Sequence, residues 1–212
     1  MKKLLCLTFC FLTLTAWAKT NPTENLFDAI ENNDFKKAQK ALDEGADPDA
    51  FDNENAPSTT AFLRAAYLNR VEMIEAMLNH KAYIDQDRPV DHHTALMIAA
   101  TNNYKELAQL LVDRGASVNI ETIFARTALQ IAALNNSLDV AKILVLQPTM
   151  DVNHRPNLCA LAVSARQGFK EMVVLLKNLK DDKAPSEQCL KRAIYLADYN
   201  QNSEIASILR QP

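Results

Sequence analysis

Glycine is nearly absent from this chain of 212 residues, which has only Gly45, Gly115 and Gly168. Three scattered glycines exclude a glycine-rich phosphate loop, and neither G-x-S-x-G nor H-E-x-x-H occurs. Histidine is almost as sparse, at His80, His92, His93 and His154. His92 and His93 are adjacent, so on an extended strand they point to opposite sides. Joint ligation with His154 would need two loops to converge, with help from Asp87 or Asp91. These histidines are read as polar loop residues, and no metal or other cofactor is expected. No apolar run reaches the ~20 residues that cross a bilayer. Positive charge is not in excess either, with 23 Lys and Arg against 26 Asp and Glu. That balance argues against nucleic acid, whose affinity comes from neutralised phosphates, and against anionic membrane surfaces.

What is present begins with a short leader. Met1-Lys2-Lys3 is positive, Leu4 to Thr15 is mostly apolar, and Ala16-Trp17-Ala18 has the A-x-A form of a cleavage site. The stretch 1–18 reads as a secretory signal peptide cut after Ala18, too short for a membrane anchor. A lipid-modified Cys10 is disfavoured by the bulky Phe9 before it. Cleavage removes Lys2 and Lys3, leaving 21 basic and 26 acidic residues, a net charge of −5. The expected address is the periplasm or the extracellular space, with no membrane contact after cleavage.

The rest is one pattern repeated. Arg126 to Val145 reads RTALQIAALNNSLDVAKILV, two short amphipathic helices around an Asn135-Asn136 break. Thr127 stands where a hydroxyl can accept from a first-turn N–H. Leu129, Ala132 and Ala133 share one face, and Val140, Ala141, Ile143 and Leu144 form another. Neither helix is long enough to hold alone in water. The pattern recurs as TAFLRAAYLNRVEMIEAML from Thr60 and TALMIAATNNYKELAQLLV from Thr94. CALAVSARQGFKEMVVLLK from Cys159 is a weaker copy, and Glu24 and Arg192 open weaker ones still. The starts at 24, 60, 94, 127, 159 and 192 are 32 to 36 residues apart. Between the paired helices fall Asn33, Asn69, Asn103, Asn136, Gly168 and Gln201, a column suited to left-handed backbone where Asn is at home. The acids Glu72, Glu106, Asp139, Glu171 and Glu204 recur once per repeat, which marks scaffold, and they sit where a helix dipole favours them.

A period near 33 with a T-x-L-x-x-A-A opening resembles the ankyrin repeat. Gly45-Ala46-Asp47 and Gly115-Ala116-Ser117-Val118-Asn119 resemble that family's G-A-D-V-N hairpin entry. Lys81 and Lys180 stand in the glycine column, and Pro148 replaces it in repeat four, so those hairpins depart from the pattern. The resemblance covers roughly Asn21 to Gln211. It implies an all-α solenoid of about six helix–turn–helix repeats with short β-hairpin or loop connections, in one domain spanning 19–212. The first repeat carries Lys37 and Lys40, and the last carries Asp198, Ser207 and Arg210, where inner repeats are apolar. Both ends are therefore expected to be polar caps finishing the array.

The resemblance also implies a non-catalytic protein-binding role and a surface for it. Partners of such arrays meet the hairpin tips and the exposed side of the first helices. Carried over position by position, that surface is Tyr67, Leu68, Val90, Asp91, His93, Thr101 and Asn102. It continues with Ile123, Phe124, Arg126, Leu134 and Asn135, then Arg155, Pro156, Leu158, Arg166 and Gln167. Ile123-Phe124 is apolar where a solvated tip would be polar, and Phe124 is either an anchor for a partner or a fold-back onto the next hairpin. Cys159 and Cys189, the cysteines left after cleavage, are either bridged or separate thiols. Cys189 falls three residues before the position equivalent to Cys159, an offset expected to stretch the Cα separation beyond the usual range. The expectation is a monomeric binder that shields or inhibits another protein of the cell envelope. The alternatives are a self-associating spacer and, behind it, a thiol- or metal-dependent enzyme.

Overall fold

The computed structural model describes residues 21–52, 59–155 and 158–211. The leader, Cys6, Cys10 and Pro156 lie outside the described residues, as do positions 53–58 of the first inter-repeat connection. The described chain holds twelve α-helices in six pairs. They are α1 (Pro22–Glu31) with α2 (Phe35–Asp43), α3 (Ala61–Tyr67) with α4 (Val71–Asn79), and α5 (Ala95–Asn102) with α6 (Lys105–Asp113). After them come α7 (Ala128–Leu134) with α8 (Leu138–Val145), α9 (Ala160–Gln167) with α10 (Lys170–Lys177), and α11 (Glu187–Tyr199) with α12 (Ser203–Arg210). The hairpins are reduced among the described residues to isolated bridges, Phe51 with Thr60 and Asp87 with Thr94.

Each helix begins and ends for a local reason. The hydroxyls of Thr60 and Thr94 accept from the N–H groups of Leu63 at 3.2 Å and Met97 at 3.4 Å. In repeat four the cap is held from the other side, and Gln130 Oε1 accepts from the Thr127 N–H at 2.9 Å. The Thr127 hydroxyl itself makes no bond of full hydrogen-bond geometry, a departure from the capping role its position suggests. The pairs turn on left-handed residues, with φ between 53° and 60° at the four asparagines and Gln201, and 82° at Gly168. Asn103 has a second use, because its Oδ1 accepts from the Val140 N–H at 3.3 Å and so caps the start of α8 in the next repeat.

Packing follows the repeat. The first helices α1, α3, α5, α7, α9 and α11 stack as one layer, and the second helices stack as the other. Alanine makes the first layer close. Ala61, Ala65, Ala66, Ala95, Ala99, Ala100, Ala128, Ala132 and Ala133 are all buried, and helix axes approach as the facing side chains shrink. Larger groups fill the space between layers, Phe62, Leu96, Leu129 and Leu161 in one column and Met77, Leu111, Leu144 and Leu176 in another. The core is therefore a ribbon running from Leu26 to Leu209. Leu110 and Leu175 are only half-buried, at the outer edge of this core.

The connections are stitched by one side-chain column. Asp49 Oδ2 accepts from the Tyr83 N–H at 3.1 Å, and Asp85 Oδ1 from the Ser117 N–H at 2.9 Å. Asn119 Oδ1 accepts from the Asp151 N–H at 3.0 Å, and Asn153 Oδ1 from the Ser186 N–H at 2.7 Å. These side chains satisfy backbone donors that no sheet among the described residues satisfies. The two asparagines also donate, Asn119 to the Thr149 carbonyl at 2.6 Å and Asn153 to the Ala184 carbonyl at 2.8 Å.

Cys159 and Cys189 are joined in a disulfide, with their Cα atoms 6.0 Å apart. This differs from the separation expected from the sequence offset. The reason is α11, which starts at Glu187 behind the Ser186 cap and runs for 13 residues against 8 in α9. The extra length at its N-terminus carries Cys189 alongside the start of the neighbouring repeat.

Candidate interaction surface

The predicted surface residues separate into three groups. The first is an apolar ridge on successive hairpin tips. Val90 is 66 % exposed, Ile123 53 %, Phe124 65 % and Leu158 53 %, far more than apolar side chains in the ribbon. The tips are neighbours in space. The Ile123 N–H donates to the Asp91 carbonyl at 3.2 Å, and Arg155 pairs with Glu121 at 3.0 Å. Phe124 does not fold onto the next hairpin. Its side chain is largely exposed, and its ring meets the Arg126 guanidinium, 6.0 Å from the centroid.

A second group is occupied inside the scaffold. Asp91 accepts from Arg88 Nε at 2.9 Å and from its second guanidinium nitrogen, and lies 2.9 Å from His93 Nδ1. The bond from Arg88 holds the Asp91 carboxyl below the ordinary carboxylate range. Arg88 in turn lies 5.6 Å from the Tyr67 ring centroid, and burial raises the Tyr67 phenol. Leu68 is half-buried against the core. Thr101, Asn102 and Asn135 bond back to the carbonyls of Met97, Ile98 and Ile131 in their own helices. The histidines are spread over separate acids. His80 meets Asp43, His92 meets Asp87, and His154 lies 2.9 Å from Glu121. Among the described residues no group of three or more His, Cys, Asp or Glu could hold a metal ion.

The third group lines a groove of ≈ 200 Å³ between α7, α9 and α11. Its floor is apolar, from Leu134, Leu158, Ala162, Val163 and Leu196. Arg126, Arg166 and Arg192 ring it, with Gln167 at one edge. Gln130 also lines it, and donates to the carbonyls of His154 at 3.0 Å and Leu158 at 3.1 Å, tying Leu158 to α7. Sequence reasoning missed Gln130, Ala162, Val163, Arg192 and Leu196. Arg192 and Leu196 lie on α11, whose early start breaks the repeat register used to carry positions over. Arg126, Arg166 and Arg192 share no column of the repeat, so no periodic signal marked the groove.

A two-layer solenoid of paired helices with its open face on the first helices defines a repeat scaffold. Residues 26–122, covering the first three repeats, match the family model for ankyrin repeats in three copies. Residues 26–122 are thus ankyrin repeats, modules that generally mediate protein–protein contact and are typically non-enzymatic. Among curated proteins, human Ankyrin repeat and SOCS box protein 6 is 36 % identical over 61 residues, 29 % of this chain and 14 % of the relative. The Pongo abelii protein of the same name is 34 % identical over 61 residues, with the same coverage. The matched segment is thus a small part of those longer proteins.

Proposed function

We propose that this chain is exported and acts in the cell envelope or outside it as a non-catalytic module that binds another protein and shields or inhibits it. The apolar ridge carries this reading: Val90, Ile123, Phe124 and Leu158 stand exposed on tips that are tied to one another. Contiguous exposed apolar groups beside arginines have the composition of an interface core. A repeat ribbon whose connections are stitched by Asp and Asn side chains gives up little freedom on binding, so a few anchors suffice. Export is supported by the leader 1–18, and a disulfide suits an oxidising compartment. The binder acts as a monomer, with the ridge turned to its partner.

The test is capture from an envelope extract with tagged protein from Lys19 onward, beside a folded Ile123→Asp, Phe124→Asp double variant. A protein held by the parent and released by the variant supports the reading and identifies the partner. Equal retention moves the site off the ridge, and self-association of the pure protein favours a spacer instead. Intact-mass measurement of the native protein checks export: a chain beginning at Lys19 is expected, and an uncut Met1 form would end that part.

A further inference from the structure

The arginines of this chain are unevenly satisfied. Arg64, Arg88, Arg114, Arg155 and Arg210 each pair with a carboxylate, namely those of Glu31, Asp91, Glu75, Glu121 and Asp198. Arg70 donates to the Ile30 carbonyl at 3.2 Å. Among the described residues the three with neither kind of partner are Arg126, Arg166 and Arg192, and all three border the same groove. Two of them lie over rings instead, Arg126 over Phe124 and Arg192 over Tyr195 at 5.3 Å. Arg192 Nε is also buried and has no hydrogen-bond partner. A buried donor left unbonded carries a desolvation cost that an incoming acceptor would relieve. Among the described residues no acid lines the groove, so its local charge opposes the mild acidity of the whole chain.

We propose that the groove receives an acidic–apolar peptide segment of the partner protein. One aliphatic or aromatic side chain fills the floor of Leu134, Val163 and Leu196, and a neighbouring Asp or Glu carboxylate meets the guanidinium groups above it. The size fits this occupant. A volume of ≈ 200 Å³ lies below the ~300–1,000 Å³ of small-molecule sites but accepts a side chain or two. Guanidinium presents a planar fork of donors that matches a carboxylate in two bonds, which lysine cannot do. An apolar floor gives a free inorganic anion nothing to bury, whereas a peptide uses both parts. The disulfide holds the site together, because Cys159 follows the lining residue Leu158 and Cys189 lies one helical turn before Arg192. This inference rests on the protein-binding reading and names the chemistry of the segment bound.

The experiment is selection of displayed random-sequence peptides on the full mature protein and, in parallel, on an Arg126→Gln, Arg166→Gln, Arg192→Gln variant whose thermal unfolding is checked first. The expected pool carries Asp or Glu beside Leu, Ile, Met or Phe. Its peptides bind the variant ~10-fold or more weakly, and rising salt weakens them on the parent. The single change Arg166→Glu, on an exposed side chain, serves if the triple variant does not fold, and it too should lose these peptides. Three results would overturn the proposal: a pool without acidic residues, equal binding to the variants, or no enrichment over the unselected library. A phosphorylated peptide pool that outcompetes the carboxylate pool would also overturn it, in favour of phosphate. If the selection fails while the Ile123→Asp, Phe124→Asp variant still releases the captured partner, the groove assignment falls and the binding-module reading stands.

Discussion

The first three repeats and the last three are built on one plan but differ in what holds them. Repeats one to three keep the threonine cap at Thr60 and Thr94, place Gly45 and Gly115 at the hairpin entry, and fall within the matched region 26–122. Repeats four to six lose much of that. Cys159 replaces the capping threonine, no glycine stands at the hairpin entries, and α11 starts early. In exchange they gain a disulfide and the Gln130 bonds to the carbonyls of His154 and Leu158. The regular half is stabilised by repetition of one local solution. The irregular half is stabilised by links specific to it, and it also carries the groove. The larger departures from consensus thus fall in the half that carries the groove, in line with the general tension between local regularity and function.

The comparison can be broken first in the core. Phe62 is fully buried in the regular half, and Phe62→Ala should cost about 3–5 kcal/mol in urea unfolding. Leu161→Ala, in the equivalent column of the irregular half, removes less volume and should cost less. A larger loss at Leu161 would mean that the irregular half dominates stability. Next comes the disulfide. It closes a loop with a sequence separation of 30, so a Cys159→Ala, Cys189→Ala variant should lose about 3–4 kcal/mol, and reductant should leave the variant unchanged. Amide exchange should then rise in α9 and α11 while α3 to α6 stay protected. Uniform loss of protection would show a single cooperative ribbon instead.

A smaller effect sharpens the hairpin-entry column. Lys81 has φ +68° where Gly45 and Gly115 have +94° and +89°. Lys81→Gly should raise stability by roughly 0.5–1 kcal/mol, the left-handed penalty less the added freedom of the unfolded glycine. Gly115→Ala should lower it by roughly 1 kcal/mol through backbone strain alone, since a Cβ there meets nothing within 4 Å. The smallest effect is acid-dependent. The bond from Arg88 depresses the Asp91 carboxyl in the folded state. Its stabilisation is therefore present above the unfolded carboxylate value of ~3.9 and is lost as pH falls through the lower folded value. Carboxyl NMR should find Asp91 titrating below its ordinary range, and Arg88→Gln should bring it back up. No movement in Arg88→Gln would sink that assignment.

Most of the fold was legible in the sequence because each repeat solves its own problem locally. Caps at Thr60 and Thr94, left-handed asparagines at the turns and helical apolar spacing are properties of a few adjacent residues, and repetition made each visible several times. The ridge at Ile123-Phe124 was legible for the same reason, as an apolar pair in a polar tip. The status of Cys159 and Cys189 was not, because it hinges on where α11 starts, which shifts Cys189 relative to its column. Nor was the occupied state of Asp91, which depends on Arg88 folding back across Tyr67. The groove was half visible: Arg126, Leu134, Leu158, Arg166 and Gln167 were placed on the surface, but not Arg192 or Leu196.

The sequence by itself determined the repeat, its period, the pairing of helices and the face each helix buries. Those follow from backbone propensity and side-chain spacing within about 33 residues, and stacking copies leaves one arrangement that covers every apolar face. Only the tertiary structure decided which arginines found partners, which cysteines met and where three helices left a gap between them. Most of those outcomes depend on distances between residues some 30 positions apart along the chain, and a single early helix start is enough to change them.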